Sequence, residues 1–218
     1  MKTPELRTTD DGSKTLYNRE IDECYHSTFG ARNESSHIFI KSCLKESQAS
    51  PISVLEIGFG TGLNAFLTAL HSEESNTIIH YHTLELYPLS KEIYNQLNYA
   101  TNDKELSLFE KLHTCEWEQT TQITNTFYLT KIKNDLQSVT FDSSFDCVYF
   151  DAFSPDKQPE LWSQSVFDKI YNSMNKQGLL TTYCSKGIVR RTLQTIGFAV
   201  ERIAGPIGGK REILRARK

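Results

Sequence analysis

From Pro51 onward the chain alternates between short apolar runs and segments whose apolar residues recur every three or four positions. ISVLEIG (52–58) is nearly unbroken, follows a proline and ends on a glycine, the pattern of a strand buried on both faces. In the next segment Leu63, Phe66, Leu67 and Leu70 fall on one face of a helix. TIIHYHTLEL (77–86) predicts a second strand, and Pro88 suits the first turn of a helix running toward Tyr99. NTFYLTKI (125–132) and SFDCVYFDAF (144–153) predict two more strands, with residues 102–124 helical or irregular before them. A helix over 159–174, a strand over 178–184 (GLLTTYC) and a helix over 187–196 continue the series. The closing segments GFAVERI and KREILRAR read as an antiparallel hairpin.

Strands that alternate with helices in this way predict an α/β fold, a mostly parallel sheet covered on both faces, because parallel neighbours need a crossover connection. The C-terminal antiparallel hairpin would close that sheet. Residues 1–50 are polar and irregular, with a loop followed by a helix near 35–44, and are expected to form an N-terminal extension to one domain over 51–218.

No apolar run approaches the ~18 residues of a membrane span, so the chain is expected to be soluble. Its opening, MKTPELRTTDDGSKT, lacks the apolar core of a signal peptide, which predicts a cytoplasmic location. Cys24, Cys43, Cys115, Cys147 and Cys184 include no CxxC pair, which argues against a metal site and a disulfide framework. The net charge of −3 hides a division: from Lys186 to the end there are nine Lys or Arg against Glu201 and Glu212, so this stretch is +7 and the remainder −10. Such segregation suits a face presented to a polyanion, and a solvated basic helix and tail would look the same.

Chemistry concentrates where the first strand meets its helix. In VLEIGFGTGLNAF, Glu56, Gly58, Gly60 and Gly62 sit on alternate positions at the crevice above the strand ends, where doubly wound proteins bind ligands. The spacing is GxGxG behind an acid rather than the GxGxxG of a dinucleotide site. An acid there repels phosphate and suits a cationic, phosphate-free ligand such as S-adenosylmethionine. Glu85, ending the second strand, is placed to accept hydrogen bonds from two ribose hydroxyls, or is a plain exposed strand end. Asp151 ends the fourth strand in VYFDAFSPDKQPELW, where a methyl acceptor would sit, with Phe153 and Pro155 as an apolar wall. A carboxylate at that point both positions an amine and keeps it unprotonated for in-line attack. The plainer alternative makes Asp151 a turn cap and Phe153 and Trp162 core residues.

GFGTGLN (58–64), LELYP (84–88), DAFSPDKQPELW (151–162), IVRRTLQTIGF (188–198), KRE (210–212) and SHIFI (36–40) together resemble one family. It is the methyltransferase part of the MnmC family, bacterial bifunctional enzymes that make 5-methylaminomethyl-2-thiouridine at the tRNA wobble position. The resemblance implies a Rossmann-like, class I S-adenosylmethionine-dependent methyltransferase that N-methylates the 5-aminomethyl group of a wobble uridine. It implies a cofactor site from Glu56, Gly58, Phe59, Gly60, Thr61, Gly62, Asn64, Glu85 and Asp151, with Asp151, Phe153 and Pro155 at the reacting end. Arg190, Arg191, Lys210 and Arg211 would then hold the anticodon stem-loop of tRNA through its phosphates.

Two departures stand out. The family carries an oxidase domain for which 218 residues have no room, so a stand-alone, monomeric methyltransferase is expected, with a separate oxidase as a candidate partner. The family acid after the third strand is also replaced by Leu129, Thr130 and Lys131, which leaves Asp135 as the substitute on the adenine side. A small-molecule amine methyltransferase or aminopropyltransferase shares the glycine turn and the strand-end aspartate, and a non-catalytic tRNA-binding module would keep the fold alone.

Overall fold

A computed structural model describes residues 3–218. The N-terminal residues are more ordered than their polarity suggests. β1 (Glu5–Thr8), β2 (Lys14–Asn18) and β3 (Glu23–Cys24) form a three-stranded antiparallel sheet in that order. The β1–β2 turn is held by Asp11, whose carboxylate accepts from the Thr9 hydroxyl at 2.6 Å and from the Ser13 backbone at 3.0 Å. Helix α1 (Ala31–Ser35) continues through a wider turn over Ser36–Lys41 that buries Ile38, Phe39 and Ile40.

The rest builds one eight-stranded sheet from β4 (Ile52–Ile57), β5 (Ile79–Leu84), β6 (Thr120–Gln122), β7 (Phe127–Ile132), β8 (Phe145–Phe150), β9 (Met174–Thr182), β10 (Ala199–Ala204) and β11 (Glu212–Arg217). Its spatial order is β10-β11-β9-β8-β4-β5-β7-β6. β9, β8, β4, β5 and β7 run parallel, β6 pairs antiparallel on one edge, and β11 inserts antiparallel between β9 and β10. The expected closing hairpin is therefore present, its second strand facing the parallel body. The chain moves outward from β4 through β5 on one side and returns to β8 on the other, so β4 marks the switch point where the crevice opens.

Both sheet faces are covered by α2 (Leu63–Ser75), α3 (Lys91–Tyr94), α4 (Asp103–Thr114), α5 (Gln164–Asn172) and α6 (Gly187–Ile196). Period-two alternation assigns the strand residues. Val54, Cys147 and Tyr149 face a core shared with Phe66, Phe109 and the N-terminal Phe39, while Leu55, Val148 and Phe150 face Phe167, Leu193 and Leu214. The segment before β4 is thus part of the main core, with the Phe39 ring 5.0 Å from that of Tyr149.

Boundaries depart from the sequence reading where a side chain finds a tertiary partner. The helix expected over 159–174 is a tight turn (Pro159–Trp162) followed by α5, because the Trp162 indole donates to the Phe153 carbonyl at 2.8 Å and packs on Phe150. Trp162, 6% exposed, is a core residue. The helix expected after Pro88 shrinks to α3, with Tyr94 stacked on His113 at 4.1 Å between centroids. Among the described residues no helix is long and apolar enough to cross a membrane, and no cluster of metal-ligating side chains occurs.

Phe39 is 2% exposed and contacts a strand that carries the crevice. Phe39→Ala is expected to lower unfolding free energy by about 3–5 kcal/mol, read as a shift in denaturant midpoint at unchanged slope; a loss under about 1 kcal/mol would mean that the N-terminal segment docks only loosely.

Candidate active site

The turn after β4 brings three strand ends together. The Gly58 N–H donates to the Leu84 carbonyl at 2.9 Å, and the Asp151 N–H donates to the Ile57 carbonyl at 3.1 Å. Gly58 has φ +94°, and a Cβ there would lie 3.1 Å from the Asp151 carbonyl oxygen, so a side chain would push β8 away. Gly62 has φ +75° at the start of α2, where a Cβ would meet the His113 ring at 2.7 Å. Both positions require glycine, one for close approach and one for helix packing.

A cavity of about 500 Å³ opens above this turn, within the range of small-molecule sites. Glu85 forms one wall; its carboxylate accepts from the Gly60 N–H at 2.9 Å and the Tyr87 N–H at 2.8 Å. Burial raises the Glu85 pKa, against the pull of those backbone N–H groups. Asp151 forms the opposite wall, and its carboxylate accepts from the Asn64 amide at 2.8 Å. Burial pushes Asp151 up to about 8, opposed by the Asn64 hydrogen bond and reinforced by the charge of Glu34.

The N-terminal sheet closes the cavity. Tyr25 crosses Phe153 edge-on at 5.0 Å, and a Cβ on Gly60 would meet the Tyr25 ring at 3.0 Å. Glu23 accepts from the backbone and hydroxyl of Ser154, at 3.0 and 2.7 Å, which ties β3 to the loop after β8. His26 pairs with the Thr61 hydroxyl at 2.6 Å, and its burial lowers its pKa to about 4. Lys210 reaches in from the β10–β11 loop, with its ammonium 3.5 Å from the centre of the Tyr183 ring. Desolvation lowers its pKa despite the opposing charges of Glu34 and Asp151.

Of the residues singled out in the sequence, Gly58, Phe59, Gly60, Thr61, Asn64, Glu85, Asp151 and Phe153 line the cavity together. Glu56, Gly62 and Pro155 do not contribute to its wall. Gly62 shapes the turn from behind, and Glu56 lies beneath the floor, 0% exposed. Asp135 does line the cavity, through the loop that follows β7. Sequence reasoning missed Glu23, Tyr25, His26 and Glu34, for which the aromatic and acidic ECYHSTF and NES stretches were the available signal, and Tyr183, which ends the strand GLLTTYC.

The proposed phosphate-binding set divides. Lys210 lines the cavity, whereas Arg190, Arg191 and Arg211 lie outside it and form no ion pair among the described residues. Lys186, Arg202 and Arg215 are paired with Asp156, Glu212 and Glu201 respectively. Inside the cavity the balance is reversed: Glu23, Glu34, Glu85, Asp135, Asp151 and Glu160 face Lys210 alone among Lys and Arg. That mainly acidic, hydrogen-bond-accepting lining fits a cationic nucleoside with free hydroxyls and disfavours a phosphorylated one.

A family model described as S-adenosyl-L-methionine-dependent methyltransferase matches residues 95–218. The chain is 28% identical, over 98% of its length, to the tRNA 5-methylaminomethyl-2-thiouridine biosynthesis bifunctional protein MnmC of Marinomonas sp. (strain MWYL1), of which it covers 33%. It is 32% identical, over 92% of its length, to the protein of the same name from Campylobacter fetus, of which it covers 34%. It therefore spans about a third of the length of these curated relatives. Among solved structures, MnmC2 from Aquifex aeolicus aligns with a TM-score of 0.80 at 29% identity, covering 99% of this chain and 70% of that one.

The buried His26 gives a pH test of this architecture. Above the ordinary histidine pKa of 6.5 it is neutral folded or unfolded; as pH falls from there toward 4 the unfolded chain takes up a proton that the folded one refuses. Wild type is expected to lose up to about 3 kcal/mol relative to His26→Gln across that window. Denaturant midpoints of both proteins measured through it check this, and parallel curves would refute it.

Proposed function

The chain belongs to a family of S-adenosyl-L-methionine-dependent methyltransferases with a Rossmann-like fold, and from that premise we propose that it N-methylates the 5-aminomethyl group of a wobble uridine in tRNA. The observation that carries this reading is the placement of Asp151. Its carboxylate ends β8, is held by Asn64, and shares one cavity with the glycine turn on one side and Tyr25 and Phe153 on the other.

When bound, the cofactor supplies a methyl group on an electrophilic sulfonium. The chain's own residues do the rest. Glu85, already ordered by two backbone N–H groups, keeps lone pairs for ribose hydroxyls, and Asp135, which lines the same cavity, is the acid available to an adenine edge. The backbone of Gly58 and Gly60 lets the nucleoside approach without a side chain between. Asp151 accepts an N–H of the acceptor amine and takes the proton that the nitrogen must shed; a carboxylate with a pKa near 8 is matched to that exchange. Tyr25 and Phe153 exclude water from the amine, which keeps the neutral, nucleophilic form populated. Arg190, Arg191 and Arg211, outside the cavity, are the groups available to phosphates of the anticodon stem-loop.

Mass spectrometry of wobble nucleosides, after incubation of the protein with the cofactor and tRNA carrying 5-aminomethyl-2-thiouridine, tests the proposal: one added methyl is expected on that base. Asp151→Asn should bind the cofactor within a few-fold of wild type by calorimetry while transfer falls by about 10²–10⁴. In wild type, transfer is expected to rise with pH through about 8, as Asp151 ionises. Arg190→Ala with Arg191→Ala should raise KM for tRNA and flatten its salt dependence by about two counterions. Methylation of free small amines with no such salt slope would move the assignment to a small-molecule amine methyltransferase.

A further inference from the structure

Gly62 is the one glycine of the motif that does not line the cavity, and what stands behind it is the ring of His113, in the last turn of α4. A Cβ on Gly62 would lie 2.7 Å from Nε2 of that ring. The ring comes this close because it reaches the turn itself: Nε2 lies 3.2 Å from the Thr61 carbonyl. A carbonyl only accepts, so Nε2 carries the proton. Thr61 also meets a second imidazole, with Nε2 of His26 at 2.6 Å from its hydroxyl. This residue, 1% exposed, is therefore held through its backbone by α4 and through its side chain by the segment that follows β3.

Both imidazoles are themselves fixed. His113 stacks on Tyr94 at 4.1 Å between centroids and 15° between planes, with Phe59 and Phe109 edge-on at 5.2 and 4.7 Å. Its carbonyl, at the end of α4 where helix carbonyls lack intrahelical partners, accepts from Nζ of the buried Lys131 at 2.7 Å. His26 is 9% exposed, and its backbone N–H donates to the Thr15 hydroxyl on β2 at 3.0 Å. Burial lowers the pKa of each ring to about 4, so at neutral pH each carries a single N–H. For His113 that N–H is the one the Thr61 carbonyl takes up.

A turn with three glycines at positive φ within five residues has little stiffness of its own. The Gly60 N–H is held by Glu85 and the Gly62 N–H by the Phe59 carbonyl, which leaves the Thr61 carbonyl to be fixed from outside the turn. We propose that His113 and His26 are positioning residues for the cofactor: they clamp Thr61 from two sides and hold the glycine turn in the shape that receives the nucleoside. His113 does so without lining the cavity, so part of the affinity for the cofactor is set by a side chain behind the wall. The proposal rests on the reading of this turn as the cofactor's seat, and it holds whichever amine accepts the methyl group.

Nitrogen-15 NMR of the unliganded protein at neutral pH is expected to show a His113 Nε2 proton that exchanges slowly with water. A proton on Nδ1 instead, or exchange as fast as in free imidazole, would overturn the proposal. His113→Phe keeps the stack on Tyr94 and removes the donor, whereas His113→Gln sets an amide N–H near the place of Nε2 and gives up the ring. By calorimetry, Kd for S-adenosylmethionine should rise about five- to tenfold in His113→Phe, as for one lost hydrogen bond, and return most of the way in His113→Gln. In turnover, most of the His113→Phe loss should lie in KM for the cofactor rather than in kcat. If Gln binds the cofactor no better than Phe, the ring acts only as packing and the proposal fails. Thr61→Val, which takes the hydroxyl from His26, should weaken binding by a similar factor, and an unchanged Kd would break the two-sided clamp. Should His113→Phe not fold, the proton-exchange measurement and Thr61→Val still decide. Glu85→Ala separates the proposal from the reading beneath it. Weakened binding in Glu85→Ala beside unaltered binding in His113→Phe sinks the clamp alone, whereas unaltered binding in both removes the turn as the cofactor's seat and the clamp with it.

Discussion

The geometry of the site depends on how closely the backbone at Gly58 can approach the end of β8. A Cβ on Gly58 would press on the Asp151 carbonyl at 3.1 Å, and the backbone hydrogen bonds Gly58 to Leu84 and Asp151 to Ile57 join β4, β5 and β8 at that point. Glu85 directly follows the first of those bonds, and Asp151 makes the second through its own N–H. Their separation across the cavity is therefore set by strand spacing in a packed parallel sheet, which is stiff, rather than by loops or long side chains. A reaction that needs in-line approach gains from that stiffness, because a small displacement of one partner sacrifices much of the advantage of pre-orientation.

Much of this was legible in the chain because the signals were local. The unbroken run at 52–58, the glycines directly behind it and the acids that end the second and fourth strands point to the turn, Glu85 and Asp151 from sequence alone, and the fold gathers them around one cavity. What remained hidden depends on distant contacts. β1 to β3 are two to five residues long and mostly polar, so they lack an apolar period, and they are stabilised by a turn carboxylate and by pairing with the loop after β8. Glu56 shows the opposite failure: its place in the motif suggested a ligand, whereas strand alternation beneath Asn64 turns it into the floor. Lys210 is grouped by sequence with Arg190, Arg191 and Arg211 as a phosphate contact, because it stands in a basic tail, and only the hairpin brings it over Tyr183 inside the cavity.

The charge division along the chain acquires a spatial meaning. Acids face the cavity, and burial raises the pKa of Glu34, Glu85 and Asp151, so a cation or hydrogen-bond donor that enters restores part of the solvation their charged forms lack. The unpaired arginines lie outside. At physiological salt the field of an exposed charge decays over about 8 Å, so an exterior that attracts a polyanion can coexist with an interior that attracts a cation. A substrate that is polyanionic overall but presents one amine at its tip meets both fields in the order in which it enters.

The two halves of the site also have different origins within the fold. The half that fits a nucleoside is made by strand ends and the turn at β4, which the parallel sheet supplies by its own topology. The half that would enclose an acceptor on the proposed reading includes Glu23, Tyr25, His26 and Glu34, all of which precede β4 in the chain. Those residues are held by partners on the first half: Tyr25 by Phe153, His26 by Thr61, and Glu23 by Ser154. A change of acceptor can thus be made in the N-terminal sheet without disturbing the strand ends, while any change at Gly58 or Asp151 disturbs both halves at once. On the proposed reading, the residues that select the acceptor are therefore to be sought before Pro51, in the stretch whose composition least resembles a folded core.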